Sequence, residues 1–426
     1  MKWILFLLVT FPPFAYSAEA DIDQELQTYV KEFKLIPLTP PTNFRPKIFK
    51  LGQRLFTSRL LSGNKNIGCV DCHHPGVLSH DKLPLAVGEG SNGAEMGNRH
   101  RNQAKGKILA RNTPALFNLH GINSMFWDGR VSIDPETGFF TTPVAELNGP
   151  TPIRSDITKV LKTALAAQAI FPIADFAEMR GAPGSNPIAD AKDTLEAWDL
   201  VVAQIMADQD IRLLMEEAYP EEKINIGHVG EALAEFQTFA FDRSNTAYDS
   251  YLKGDLTALS PLEKKGMSVF FDKGKCGTCH QGEHLSMFEF ESIGVPQIGP
   301  GKANGDDLGR YEFDKTVDPY TFRVPPLRNV GLTAPYMHNG AFANLLQVVE
   351  HYDDIEGSLS SYNFGNEWKN YVEKIADHNP ANDKLRLDSL AFDLSRKLHF
   401  TEEEEEALMA FLKTGLTDKE LLNLIP

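Results

Sequence analysis

The chain is sparing with cysteine, with tryptophan and with positive charge. Four cysteines and four tryptophans serve 426 residues, and 42 lysines and arginines face 58 aspartates and glutamates, for a formal charge of −16. That deficit excludes nucleic acid and anionic membrane surfaces as expected partners, and suits a partner protein that presents a basic patch. Beyond the first residues no long apolar run remains, so no membrane span is expected. Strand-like alternation is also scarce, and the expected fold is mainly α with long loops. What is present is ordinary globular composition, 42% apolar and 23% charged. This excludes a disordered or fibrous chain and gives enough length for two cores.

The segment MKWILFLLVTFPPFAYSAEA has one lysine, a short apolar run and small residues at Ala18 and Ala20. This is the layout of a secretory leader, expected to span residues 1–20 and to be removed, with a periplasmic product in a Gram-negative source. An uncleaved anchor is the alternative, but the run is short and holds two prolines.

In an exported protein four cysteines would ordinarily form disulfides. Their spacing gives another reading. Cys69-Val-Asp-Cys72-His73 and Cys276-Gly-Thr-Cys279-His280 both have the Cys-x-x-Cys-His pattern of a covalently attached c-type haem. Two thiols at that spacing can reach the two vinyl groups of one porphyrin edge, while the adjacent histidine binds iron from below. Zinc also accepts Cys-x-x-Cys with a nearby histidine, but it would not explain why a histidine follows each pair directly. Two haem c groups are therefore expected.

A weak internal repeat surrounds these motifs. Arg111-Asn112-Thr113-Pro114 resembles Phe322-Arg323-Val324-Pro325, and Trp127-Asp128-Gly129 and His338-Asn339-Gly340 follow at matching distances. Two cytochrome c-like haem domains are expected, over 21–225 and 226–426. Apolar spacing in 228–246 predicts a helix that opens the second. Further helices are expected over 22–34, 157–170, 191–217, 261–271, 344–352 and 401–414, the last with Thr401 as cap and its five glutamates as a solvated first turn.

The strings Arg111-Asn112-Thr113-Pro114, Phe126-Trp127-Asp128-Gly129-Arg130, Leu252-Lys253-Gly254 and Leu332-Thr333-Ala334-Pro335-Tyr336-Met337-His338-Asn339-Gly340 resemble the bacterial dihaem cytochrome c peroxidases and the related MauG enzymes. The likeness runs from about residue 51 to 416, with insertions near 174–200, 296–318 and 356–395. It implies a peroxide-reacting first haem held by His73 and an electron-relaying second haem held by His280. It also implies that Trp127 lies between them, although a core tryptophan is the commoner fate of that residue. Peroxide cleavage requires a group that moves a proton between the peroxide oxygens. The family's glutamate corresponds to Glu146, one residue out of register. Glu136, in the turn-like Asp134-Pro135-Glu136, is the runner-up and reads as a solvated loop residue.

Two departures from the family pattern matter. The slot of the loop histidine that caps the first haem in many members holds Ala104, so an open first haem is expected, with His100 the lesser candidate. In the slot of the methionine ligand to the second haem stands Tyr352, as in MauG-type proteins. A phenolate favours ferric and higher-valent iron, whereas a thioether raises the potential. His351, Met337 and Met287 are competing ligands, and an unliganded core tyrosine is the plain alternative. The resemblance further implies a calcium ion at Asn112, Thr333 and Pro335, oxygen donors suited to a hard cation. His338 is read as supporting the second loop. His74, His80, His120, His228, His284, His378 and His399 lie in no motif and are read as surface or core groups.

The implied activity is reduction of hydrogen peroxide with electrons from a cytochrome c or cupredoxin. The alternative is MauG-like oxidation of a side chain in a partner protein, and a non-catalytic dihaem carrier is the third reading.

Overall fold

The computed structural model describes residues 14–91, 106–302, 305–363 and 380–425. Helix dominates, and the strands among the described residues are only two or three residues long. The helices have legible local causes. Ser260 caps Pro261–Phe271, Glu263 returns a bond to the Ser260 N–H at 2.7 Å, and proline occupies the first turn. Thr401 and Glu404 do the same for Glu402–Ala410. Such reciprocal caps satisfy the amide groups that a helix start leaves over. Asn225 caps Ile226–Ala240, whose first twelve residues are all buried, as befits a helix passing through a core.

The segment 191–217 forms two helices, Thr194–Met206 and Gln209–Ala218, because Asp208 turns to cap the second. The expected 157–170 helix is broken into Ser155–Thr158 and Ala164–Gln168, where Thr163 starts a new cap.

Each half is built around one close helix crossing. Pro46–Phe56 crosses Ile226–Ala240, and Pro261–Phe271 crosses Glu402–Ala410. A Cβ on Gly52 would stand 1.9 Å from the Ala232 carbonyl oxygen and 2.8 Å from the Phe236 Cβ; on Gly266 it would stand 1.9 Å from the Ala407 oxygen and 2.8 Å from the Phe411 Cβ. Both crossings therefore bring backbone against backbone at equivalent points, which extends the internal repeat from motifs to packing.

Two main hydrophobic clusters result. The first contains Leu51, Leu55, Trp198, Val229 and Phe236 and runs on to Phe241. The second contains Tyr248, Tyr251, Phe270, Phe271, Phe411 and Leu416. The boundary expected near 226 thus falls at the start of a helix that packs into the first cluster rather than opening the second. Leu26 and Leu35, near the chain start, are buried in the second cluster.

This early segment is a strap around the second half. From Phe14–Glu32, Asp23 accepts from Tyr251 Oη at 3.0 Å and pairs with Lys264 at 2.8 Å. Phe33 lies 5.0 Å from Phe271, and its carbonyl takes the Gly282 N–H at 3.1 Å. Leu38 N donates to Asp249 and Thr39 N to Glu283, each at 2.7 Å. No helix among the described residues is long and apolar enough to cross a membrane.

Two small antiparallel sheets position the loops that matter. In β1-β2-β3 (Ser124–Met125, Val131–Ile133, Phe140–Thr141), Met125 pairs with Val131, so Phe126–Trp127–Asp128–Gly129–Arg130 forms the turn between the first two strands. Two residues of that turn are left-handed, Phe126 at φ +67 and Gly129 at φ +66, the second without steric cost. Pairing of β4 (Phe290–Glu291) with β5 (Phe322–Arg323) brings the Arg323–Val324–Pro325 loop back to the chain leaving His280.

Candidate cofactor sites and the seam between them

The two Cys-x-x-Cys-His segments fold alike. Cys69–Cys72 is one helical turn and Cys276–Thr278 a shorter one, and the next histidine closes each, with its N–H on the carbonyl of the first cysteine at 2.8 Å. Asp71 Oδ2 accepts the Gly68 N–H at 2.8 Å and fixes the start of the first turn. His73 Nδ1 meets the Ser79 carbonyl at 2.9 Å, and His280 Nδ1 meets the Leu285 carbonyl at 2.9 Å. A carbonyl partner requires Nδ1 to carry the proton, which leaves Nε2 as the basic nitrogen, the arrangement a histidine ligand needs. Burial lowers the His280 pKa to about 4, keeping the ring neutral, and burial raises the Cys69 and Cys276 thiols to about 12. The four cysteines form no disulfide. Thiols at vinyl spacing beside a histidine of fixed tautomer fit a covalently held haem in both halves.

Tyr352 projects from Leu345–Asp353 toward the second of these turns. Burial, and then the neighbouring Cys276 and Cys279, push its phenol upward. Its rivals stand differently. His351 has both nitrogens engaged, Nε2 with the Ile293 carbonyl at 2.7 Å and Nδ1 with Ser358 Oγ at 3.0 Å, so it is a packed core residue. Met287 is exposed and Met337 packs against the second cluster.

The seam between the halves is centred on Trp127. Its indole N–H donates to the Asn112 carbonyl at 3.0 Å, and its own carbonyl accepts the Arg323 N–H at 2.7 Å. Arg323 Nε reaches the Phe126 carbonyl at 3.1 Å. Asn112 N in turn donates to the His338 carbonyl at 2.7 Å, and Asn112 Nδ2 donates to the Leu83 carbonyl at 2.7 Å. The His338 ring stacks on Phe322 at 3.6 Å. Asn112, Trp127 and the 333–338 loop are therefore neighbours. The Asn112 amide nitrogen is committed to the Leu83 and Pro84 carbonyls.

Glu146 lies in the Ala145–Leu147 turn after β3, partly buried, with its carbonyl accepting the Arg154 N–H at 2.9 Å. Glu136 is on the exposed turn that Asp134 Oδ1 ties at 3.0 Å. His100 and Ala104 lie outside the described residues, as does His378.

One charged group escaped the sequence reading. Arg111 forks onto Asp307 at 2.6 and 2.8 Å and also pairs with Asp128, which Arg130 reaches at 2.9 Å. Burial alone would raise the Asp128 pKa, but Arg111, Arg130 and Lys302 together hold it far below the carboxylate range. Asp307 belongs to the 296–318 insertion, so no repeat or family string announced it.

The di-haem cytochrome c peroxidase family model matches residues 46–257. Over that stretch, about half of its length, the chain is similar to that family. It is 28% identical over 346 residues to the methylamine utilization protein MauG of Methylorubrum extorquens, covering 79% of this chain and 78% of that protein. To the cytochrome c551 peroxidase of Pseudomonas aeruginosa it is 29% identical over 305 residues, 70% of each chain. A crystal structure of a MauG-like protein associated with microbial copper homeostasis superposes with a TM-score of 0.60 at 24% identity, covering 91% of this chain and 94% of that one. These relatives are named as oxidoreductases of the dihaem class, and two c-type haems are the cofactors the likeness implies.

Proposed function

We propose that this chain is an exported dihaem enzyme that reduces hydrogen peroxide at the His73 haem and draws electrons through the His280 haem. The observation that carries the reading is the position of Trp127, tied by its indole to the first half and by its carbonyl to Arg323 of the second. When bound, the haems supply the redox and Lewis-acid chemistry for H2O2 + 2 H+ + 2 e− → 2 H2O. Cys69, Cys72, Cys276 and Cys279 fix them covalently, and the Ser79 and Leu285 carbonyls orient His73 and His280. Glu146 takes a proton from one peroxide oxygen and returns it to the other. Asn112, Thr333 and Pro335 would supply the oxygen donors for a calcium ion.

Protein matured in a haem-attaching host should carry two haems, and should oxidise reduced cytochrome c or a cupredoxin on addition of peroxide. Glu146→Gln should lower kcat by about 10²–10⁴-fold with both haems retained. Full turnover in that variant would remove Glu146 from the mechanism, and a preparation lacking haem would remove the whole reading.

A second reading rests on Tyr352, whose place beside Cys276 and Cys279 suits a phenolate ligand to the second haem. It favours MauG-like withdrawal of electrons from a side chain of a partner protein. Tyr352→Phe should change the second haem's absorption and potential. Unchanged spectra would assign Tyr352 to the core. Slow cytochrome oxidation in the unaltered protein, with oxidising equivalents long retained after peroxide, would favour the protein oxidase.

A further inference from the structure

His120 and His284 belong to no motif, yet they meet across the seam. Their ring centres are 6.3 Å apart and tilted by 66°. His120 comes from the first half's Pro-rich loop, and His284 lies four residues beyond His280. His120 Nε2 reaches the Thr39 carbonyl at 2.6 Å, so Nε2 carries the proton and Nδ1 is the lone-pair nitrogen. The Nδ1 atoms of both rings are buried without a hydrogen-bond partner, and His284 is only 9% exposed.

One orphaned buried nitrogen costs on the order of 1–3 kcal/mol; two in facing rings call for a shared occupant. One carboxylate faces both rings. The Glu283 carboxylate acts on both rings, and its Oε1 is held by the Thr39 N–H at 2.7 Å. Arg328 and Arg323 also face His284: Asp249 neutralises Arg328 at 2.5 Å, whereas Arg323, with Nε on the Phe126 carbonyl and Nη1 buried without a partner, keeps its charge, which Glu283 has to offset. Imidazole nitrogens at about 2.0–2.1 Å from one ion place their ring centres roughly 5–6.5 Å apart, according to the angle at the metal.

We propose that His120 and His284 bind a borderline divalent transition ion of the zinc class through their Nδ1 atoms, with Glu283 supplying the compensating charge. Two protein nitrogens leave positions for solvent, so binding is reversible rather than structural. Because the ligands come from both halves and sit against the Thr39 strap, the ion would clip three segments together. The site is separate from the haem ligands and does not depend on the peroxide reading.

The test uses the chelator-treated dihaem protein with Zn2+ alone. Equilibrium dialysis should show one ion that is lost, or weakened by about tenfold or more, in His120→Gln, whose amide can still donate to Thr39. Anomalous scattering at the zinc edge should place that ion between the two rings. Saturating Zn2+ should raise the melting temperature of the unaltered protein, as any native-state ligand does, and not that of the variant. Equal binding by the two proteins, or an anomalous peak elsewhere, would overturn the site. So would no binding at all, which would leave a bridging water as the occupant.

Discussion

Asp128 shows how a single side chain joins the halves. It is buried between Arg111 and Arg130, while Arg111 also holds Asp307 of the second half. Removing one partner strands the others without water. Asp128→Asn should cost about 3–5 kcal/mol in chemical denaturation. Because the folded pKa of Asp128 lies below its unfolded value, its contribution is complete above about pH 4 and is lost as pH falls further. Histidines act earlier. Burial lowers His80 and His338 to about 3, so both stay neutral in the fold, whereas the unfolded chain protonates them below about pH 6.5. Stability should therefore decline from about pH 6.5 toward pH 3, and His338→Phe, which keeps the stack on Phe322, should flatten that decline in urea titrations. At this scale the two Cys-x-x-Cys-His turns were legible because their spacing is local. The ion cluster and the facing histidines were not, since His120 and His284 are 164 positions apart in the chain, and only folding makes them neighbours.

Among the elements, the two glycine crossings make the sharpest prediction. An alanine in a helix interior usually gains up to about 1 kcal/mol over glycine, but at Gly52 or Gly266 its Cβ would meet a carbonyl oxygen at 1.9 Å. Gly52→Ala and Gly266→Ala should each destabilise by about 1–3 kcal/mol or more, seen as a lower melting temperature with both haems attached. Helix starts were readable where the cap chemistry is local, as in Ser260-Pro261 and Thr401. They were misread where a second cap interrupts a continuous apolar pattern, as at Asp208 and Thr163. The helix at 226–240 was foreseen but given to the wrong neighbour. Periodicity reports which face is buried, not which partner buries it.

In the whole molecule, the halves repeat one plan but are not independent. The first half closes on itself between Pro46–Phe56 and Ile226–Ala240, whereas the second is completed by residues 22–39 from the far end of the chain. Deleting residues 22–41 should expose Tyr251 and Phe271, lower the stability of the second half, and spare the first. Limited proteolysis followed by mass analysis would show cleavage concentrated beyond residue 242.

The strap also orders events in time. A chain threaded outward from its amino end releases residues 22–39 first, yet their binding surface on Pro261–Phe271 emerges more than two hundred residues later. The opening segment must wait, unpaired, while everything between it and its berth is delivered. Assembly of the second half is thus a ring closure, and the Cys276–Cys279 turn stays open to other proteins until Phe33 and Thr39 settle across it.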